Sequence, residues 1–97
     1  MFAIIWSAKA AHEYLGTLEF WVQHNKSATY STKLMNAVDK TVTRLSQNPK
    51  IGSPTIFEGI YKIQVLRNFS LIYSFKESTI HIISFWDNRR NPDDLKL

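Results

Sequence analysis

Between residues 59 and 86 the chain alternates apolar and polar residues in a way that predicts three strands. The period of two is clearest in residues 69–75, where alternate positions carry large apolar side chains: Phe69, Leu71, Tyr73 and Phe75. A period of two places these side chains on one face of a strand. Residues 79–86 are instead apolar at both odd and even positions. That pattern predicts a strand that is central in its sheet or covered on its second face.

Two short polar interruptions predict hairpin turns between these strands. Arg67 and Asn68 separate the first two apolar runs, and Asn68 is a residue type that tolerates the positive φ required by a two-residue turn. Glu77 and Ser78 separate the second and third runs in the same way. The C-terminal half is therefore expected to form three consecutive antiparallel strands.

The N-terminal part predicts a short strand and an amphipathic helix. Residues 2–6 are β-branched and aromatic, as is typical of a strand, and Ser7 is a suitable helix N-cap. From residue 8 to about residue 24, apolar residues recur every three or four positions and share one stripe of a helix: Ala11, Tyr14, Leu15, Leu18, Trp21 and Val22. Phe20 lies off this stripe, so its ring is expected to be exposed and available to a partner.

A second helix is predicted over residues 28–47 by a similar apolar stripe: Leu34, Met35, Val38, Thr41, Val42 and Leu45. Ser27 is a suitable N-cap for this helix, and Asn48-Pro49 is expected to end it. The polar link between the helices is short, so they are expected to form an antiparallel hairpin. Residues 50–58 contain Gly52 and Pro54 without any period, and they predict a loop.

The order strand, helix, helix, strand, strand, strand predicts an α+β fold, in which an antiparallel sheet carries the helical hairpin on one face. A chain of 97 residues with 44% apolar residues can build one core, so residues 1–97 are expected to form a single domain. Cysteine is absent, which excludes disulfides and cysteine-ligated metals. The three histidines lack the spacing of a metal site, so neither a metal nor another cofactor is expected.

Charge and hydropathy limit the class of partner. The net charge of +4 favours an acidic partner, which could be a nucleic acid or an acidic protein. The apolar run at the N-terminus is too short to cross a membrane and lacks the pattern of a secretory signal. A cytoplasmic protein without a membrane partner is therefore expected.

Several segments, in this order, resemble the RelE/ParE family of bacterial toxins. They are IIWSAKA, LSQNPKIG, YKIQVL, LIYSF and IHIISFWDNRRNP. The resemblance covers nearly the whole chain, and the ending DNRRNP makes it closer to ParE-like members. It implies the toxin of a type II toxin–antitoxin system, which inhibits growth, contributes to plasmid stabilisation and is neutralised by a cognate antitoxin protein.

The resemblance implies one of two cellular targets. ParE-like members inhibit DNA gyrase by binding, whereas RelE-like members enter the ribosome and cut mRNA with lysine and arginine side chains on the sheet and a tyrosine near the C-terminus. A non-toxic family member that acts only as a binding partner is a further alternative. A small RNA-binding domain that uses the sheet face is the alternative outside the family.

The residues that match the RelE-like nuclease set are Lys62 and Arg89. Gln64 and Ser70 stand where that set has further cations, and no tyrosine follows the last strand. Metal-free RNA cleavage needs cations and a proton donor around the phosphate, and each lost group typically costs on the order of 100-fold or more in rate. Gyrase inhibition by binding is therefore the favoured function, and cleavage by Lys62 and Arg89 is the alternative.

Four cations are predicted to contact the target: Arg89, Arg90, Lys62 and Arg67. Exposed arginines on a loop held by a rigid sheet are suited to gripping a carboxylate or a phosphate with two hydrogen bonds. The alternative for the two adjacent arginines is an ion pair with a neighbouring aspartate. The antitoxin is predicted to cover Phe20 and Tyr30, which lie off the helical stripes.

Overall fold

A computed structural model describes residues 1–95, and within them the chain forms a five-stranded sheet and two helices. The elements in chain order are β1 (Ala3–Trp6), α1 (Ala8–Asn25), α2 (Thr29–Gln47), β2 (Ser53–Pro54), β3 (Tyr61–Val65), β4 (Phe69–Lys76) and β5 (Thr79–Asp87). Short 3-10 turns cover Pro49–Ile51 and Pro92–Asp94. The predicted α+β class and the order of the predicted helices and strands are confirmed.

The strands lie in the order β1-β5-β4-β3-β2. β3 and β4 are antiparallel to each other, as are β4 and β5, as predicted. β1 runs parallel to β5, with Ala3 opposite Thr79, so the sheet is mixed and the expectation of a purely antiparallel sheet is wrong at this pair. Periodicity indicates which side chains face the core, but it carries no information about the direction of a neighbouring strand.

The segment predicted as a loop contains the edge strand β2. Ser53 lies opposite Lys62, and Pro54 lies opposite Tyr61. An edge strand tolerates proline because the missing N–H faces away from the sheet. A strand of two residues is too short to leave a periodic signal, which explains why the pattern predicts a loop.

The two hairpin turns differ in how well they follow the prediction. Glu77 and Ser78 form the expected two-residue link, with a positive φ of 56° at Glu77. The β3–β4 link has three residues, because Val65 pairs with Phe69, and the positive φ of 53° falls on Leu66 instead of Asn68. Leu66 is half-buried against the core, and this packing outweighs the local preference for asparagine.

The helix caps are partly as predicted. The Ser7 Oγ accepts a hydrogen bond from the Ala10 N–H at 3.0 Å, which confirms the N-cap of α1. The N-cap position of α2 is Ala28, and the Ser27 Oγ accepts instead from the Thr29 N–H. The predicted cap at Ser27 is therefore wrong by one residue.

The core lies between the helices and one face of the sheet. Its buried members are Ala10, Leu34, Val38, Leu45, Ile63, Val65, Phe69, Leu71, Tyr73, Ile80, Ile82 and Phe85. Three residues of the predicted stripes are nevertheless exposed: Leu15 by 57%, Val22 by 39% and Met35 by 46%. The predicted stripes are wider than the area that the sheet covers, so part of each stripe faces solvent.

Tyr73 fixes the connection between α2 and β2. Its hydroxyl donates to the Pro49 carbonyl at 2.7 Å and accepts from the Gly52 N–H at 3.0 Å. A Cβ at Gly52 would collide with this hydroxyl and with the Lys62 carbonyl, so glycine is required there by close approach. The connection is therefore held in one conformation beside the open face of the sheet.

Replacing Tyr73 by phenylalanine is expected to lower the free energy of unfolding by about 1–3 kcal/mol, because a buried acceptor and a buried donor lose their partner. Equilibrium unfolding in urea measures this change. The matched control is Tyr61→Phe, which removes a hydroxyl from a half-buried ring that stacks on Tyr73. Equal stability of the Tyr73→Phe protein and the unaltered protein would contradict the role of this hydroxyl.

Candidate functional site

The arginine loop, residues 88–91, follows β5 and is held by backbone hydrogen bonds. The Asn88 N–H donates to the Asn68 carbonyl at 2.8 Å, and the Arg90 N–H donates to the Asp87 carbonyl at 3.1 Å. Next to the loop, the Asn91 side chain accepts from the Asp93 N–H at 3.0 Å and begins the last 3-10 turn. The loop is thus attached at both ends, as the asparagines and proline in its sequence favour.

Arg89 is paired with Asp87. Its Nε lies 3.0 Å from the Asp87 Oδ1, its Nη2 lies 2.8 Å from Oδ2, and its backbone N–H donates to Oδ1 at 2.9 Å. The Arg89 guanidinium holds the pKa of the Asp87 carboxyl below its ordinary value. A lowered carboxyl pKa stabilises the folded state above about pH 3.9, and this contribution is lost as the pH falls through the lowered value. The pair therefore remains ionised at neutral pH.

Arg90 has a different environment. Its guanidinium carbon lies 4.6 Å from the centroid of the Trp86 ring, within the distance of a cation–π contact. It makes no ion pair with any acidic side chain among residues 1–95. The alternative predicted for the two arginines, pairing with an aspartate, thus holds for Arg89 but, within residues 1–95, not for Arg90.

A groove with a volume of about 700 Å³ lies on the sheet face that the helices leave open. Its floor includes Ile72 and Trp86, and residues 53–57 form one wall. Within residues 1–95, Lys62 is the only charged side chain that lines it. The Ser70 Oγ, in the position of a missing family cation, donates to the Asn88 Oδ1 at 2.7 Å. We call this cavity the sheet groove.

A second depression, with a volume of about 460 Å³, lies between α1 and the arginine loop. Phe69 and Phe85 lie at its base, and their rings stack at 5.1 Å. Gly16 and Phe20 line the side formed by α1, and both arginines line the opposite side. We call this depression the helix cleft.

The four predicted target-binding cations are divided between these sites. Arg89 and Arg90 line the helix cleft, and Lys62 lines the sheet groove. The Arg90 guanidinium also lies over Trp86, which belongs to the sheet groove. Arg67 is exposed on the β3–β4 turn, where its carbonyl accepts from the Asn88 side chain at 3.4 Å. Three of the four therefore lie in or beside the arginine loop. Lys62 and Arg89, the possible nuclease pair, line different cavities.

The two predicted antitoxin-binding residues differ in exposure. Phe20 is 54% exposed. Tyr30 is half-buried, and its ring lies 5.0 Å from that of Trp21. The pKa of the Arg89 guanidinium is raised, chiefly by its hydrogen bonds to Asp87. Off-stripe position predicts exposure correctly for Phe20 but not for Tyr30, because Trp21 extends the apolar surface of α1 over it.

Sequence patterns do not reveal the role of Glu13, which they place on the polar side of α1. Its Oε1 accepts from the Ser84 hydroxyl at 2.9 Å and from the Phe85 N–H at 3.2 Å. Gly16 stands out in the sequence, because a glycine inside a predicted helix makes that helix less stable than alanine would. Leu15, Val22 and Met35 are exposed because the apolar stripes that contain them are wider than the area that one sheet can cover. The width of these stripes is visible in the sequence.

The chain matches the model of a family described as ParE toxin of type II toxin–antitoxin system over residues 4–92. It belongs to the ParE toxin family. No curated protein sequence is significantly similar to it. Among residues 1–95, no helix is long and apolar enough to span a bilayer.

Several solved structures of other toxins share the fold. A chromosomal ParDE toxin–antitoxin protein from P. aeruginosa is 22% identical, with a TM-score of 0.76 over 90% of this chain and 96% of that one. A YoeB/ParE toxin from Agrobacterium tumefaciens is 13% identical, with a TM-score of 0.65 over 89% and 98%. A YoeB dimer from Staphylococcus aureus is 17% identical, with a TM-score of 0.60 over 86% and 92%. The ParE and YoeB structures thus have the same arrangement of helices and strands as this ParE-family chain.

Proposed function

We propose that this ParE-family toxin inhibits DNA gyrase in the cytoplasm by binding it through the arginine loop, and that its antitoxin prevents this binding. The observation that carries the proposal is the contrast between the two cation sites. The arginine loop is fixed and presents at Arg90 a guanidinium without an ion pair among residues 1–95. Lys62 is the single charged side chain of these residues that lines the sheet groove. A fixed, exposed arginine is suited to bind a carboxylate or a phosphate on a partner.

The sheet groove offers little of what phosphodiester cleavage requires. Stabilising the extra charge of the transition state takes several preorganised cations or donors, together with a group that can supply a proton. In the part of the chain that the structure describes, Lys62 is the one charged side chain that lines the groove, and the Ser70 hydroxyl donates to Asn88. Arg89 is bound to Asp87 on the side of the helix cleft. These facts support action by binding over action by cleavage.

Induction of the protein in a bacterial culture tests the proposal. We expect incorporation of labelled thymidine to fall before incorporation of labelled methionine, and we expect the purified protein to inhibit supercoiling by gyrase. Lys62→Ala removes one of the four predicted target contacts and should weaken both effects only in part. Normal growth with abundant folded protein would instead indicate a non-toxic family member, and would also remove the basis for a role in plasmid stabilisation.

One observation favours ribosome-dependent mRNA cleavage as the second candidate function. Lys62 is exposed in a groove that also contains the amides of Gln64 and Asn88 and has room for a nucleotide. If this candidate is correct, methionine incorporation falls first, cut transcripts appear, and Lys62→Ala abolishes both effects.

An exposed apolar strip on the helical hairpin supports the antitoxin as a protein partner. The Ser31 hydroxyl donates to the Leu18 carbonyl at 2.7 Å and sets the level at which the two helices face each other. Leu15 lies about one turn before Leu18, and Met35 lies about one turn after Ser31. Because the helices are antiparallel, Leu15 and Met35 lie at about the same height along the hairpin axis. With Val22 they form the outer strip, which is suited to the apolar face of a partner helix.

Met35→Glu is expected to weaken antitoxin binding by about 30-fold or more, because binding would bury an unpaired charge in the outer strip. The free toxin should keep its stability, since Met35 is 46% exposed. Calorimetric titration with the antitoxin and thermal unfolding measure the two quantities. Asn36→Glu adds the same charge at an exposed neighbouring position and serves as the matched control. Equal loss of affinity in the two variants would place the effect in overall charge.

A further inference from the structure

Gly16 lies near the middle of α1, where glycine has no evident role in the fold. Its φ is not positive, in contrast to that of Gly59. A Cβ at Gly16 would meet no atom within 4 Å. Glycine inside a helix is less stable than alanine because it loses more conformational freedom on folding. Gly16 therefore lowers the stability of the free protein, and no internal contact explains why glycine is present there.

Gly16 forms a notch between ring side chains on one face of α1. His12, Gly16, Phe20 and His24 are spaced by four residues, which places them along the same side of the helix. The Phe20 ring is 54% exposed and stacks on His24 at 5.4 Å with an interplanar angle of 12°. A side chain from outside can therefore reach the backbone of α1 at Gly16 while packing against Phe20.

The charge of the helix cleft that is left for a partner is positive. The Glu13 carboxylate pairs with Lys9 at 3.7 Å and also accepts from Ser84 and the Phe85 N–H. Both carboxylate oxygens of Asp87 accept from Arg89. Arg90 lines the same cleft, and no acidic side chain among residues 1–95 forms an ion pair with it. The cleft thus combines an apolar notch with an unpaired cation.

We propose that the antitoxin seats an apolar side chain in the notch at Gly16 and places a neighbouring carboxylate against Arg90. This inference rests on the proposed function, which supplies an antitoxin as the partner. An acidic segment of that partner complements both Arg90 and the net charge of +4. A segment bound in this way covers Phe20 and the arginine loop together. The antitoxin then neutralises the toxin by occupying the surface that the target needs.

The resemblance to type II toxins implies that the antitoxin is encoded beside the toxin. The test therefore uses the full-length toxin and, as its candidate antitoxin, the full-length product of the neighbouring gene. In Gly16→Ala the thermal midpoint of the free toxin should rise by about 4–8 °C, because a helical glycine is replaced. The dissociation constant of the complex should nevertheless increase. Gly16→Phe fills the notch and should increase the dissociation constant by about 5- to 100-fold, which is the range expected for overpacking. Glu19→Ala, on the same helix but outside the cleft, is the matched control.

A second measurement locates the partner at the arginine loop. Phenylglyoxal modification of Arg90, followed by mass spectrometry, should be slower in the complex than in the free toxin. The proposal is overturned if both Gly16 variants bind like Glu19→Ala, or if Arg90 reacts equally fast in the complex. If the unaltered toxin does not bind the neighbouring product at all, the antitoxin assignment fails first, and the proposal fails with it.

Discussion

Arg90→Ala is expected to weaken inhibition of gyrase supercoiling by about 30-fold or more, whereas Arg89→Ala should change it about threefold or less. The two arginines are adjacent but their charges are not equally available. Arg89 makes two side-chain hydrogen bonds to Asp87, and a target would have to break them before using the guanidinium. Arg90 has no such partner within residues 1–95, and the Trp86 ring already restricts its orientation. Binding therefore costs Arg90 less side-chain entropy.

Two variants separate this effect from the general influence of charge. Lys76→Ala removes one positive charge beside the β4–β5 turn, at the opposite end of β5 from the arginine loop, and should leave inhibition unchanged. Asp87→Asn releases Arg89 from its pair and should maintain or increase inhibition. If Arg89→Ala and Arg90→Ala weaken inhibition equally, the distinction between the two guanidinium groups is wrong. If Lys76→Ala matches Arg90→Ala, long-range charge is responsible rather than the loop.

Local signals predicted those parts of the fold that depend on neighbours in the chain. Ser7 caps α1 because its hydroxyl needs only an N–H three residues ahead. Glu77 and Ser78 form the turn between β4 and β5 because the apolar runs on either side leave two residues to connect them. Asn48-Pro49 ends α2 because proline disfavours a helical conformation in the residue before it. Each of these three features depends on a few adjacent residues, so the local sequence is sufficient to predict it.

Contacts between distant segments could not be predicted in the same way. The direction of β1 depends on its pairing with β5, which lies more than 70 residues later in the chain. Leu66 adopts a positive φ because its side chain packs against the core, although asparagine is favoured locally. Tyr30 is half-buried because Trp21 on the other helix lies against it. In each case tertiary packing outweighs a local preference.

In the candidate site, too, some features follow from the local sequence and others depend on contacts between distant segments. The sequence indicated that the cations after the last strand were the important ones, and it raised pairing with an aspartate as an alternative. It could not decide which of the two arginines would be paired, because Asp87 is close in sequence to both. The side-chain directions at the end of β5 decide this, and they depend on the whole sheet. The sequence shows that Gly16 lowers the stability of α1. That Gly16 faces the arginine loop could be learned only from the three-dimensional structure.

Glu13→Ala is expected to lower the free energy of unfolding by about 2–4 kcal/mol, because two buried donors lose a charged acceptor. β1 ends opposite Ile82, so the edge of β5 beyond that point has no neighbouring strand on this side. The Glu13 carboxylate takes the place of such a strand by accepting from the Phe85 N–H and the fully buried Ser84 hydroxyl. Without it, both donors remain buried and unsatisfied, and the edge of β5 must open to water.

Equilibrium unfolding in guanidinium chloride, applied to Glu13→Ala, Glu13→Gln and Glu19→Ala, measures the contribution of Glu13 to the free energy of unfolding. Glu13→Gln keeps an acceptor oxygen and should lose about 1 kcal/mol, while the exposed Glu19→Ala should remain within about 0.5 kcal/mol of the unaltered protein. A loss in Glu13→Ala no greater than that in Glu19→Ala would show that β5 does not need this acceptor. Phe85 is two residues before Asp87, so the contact also sets where the arginine loop begins. Inhibition of gyrase should therefore weaken in Glu13→Ala even under conditions in which the protein is fully folded.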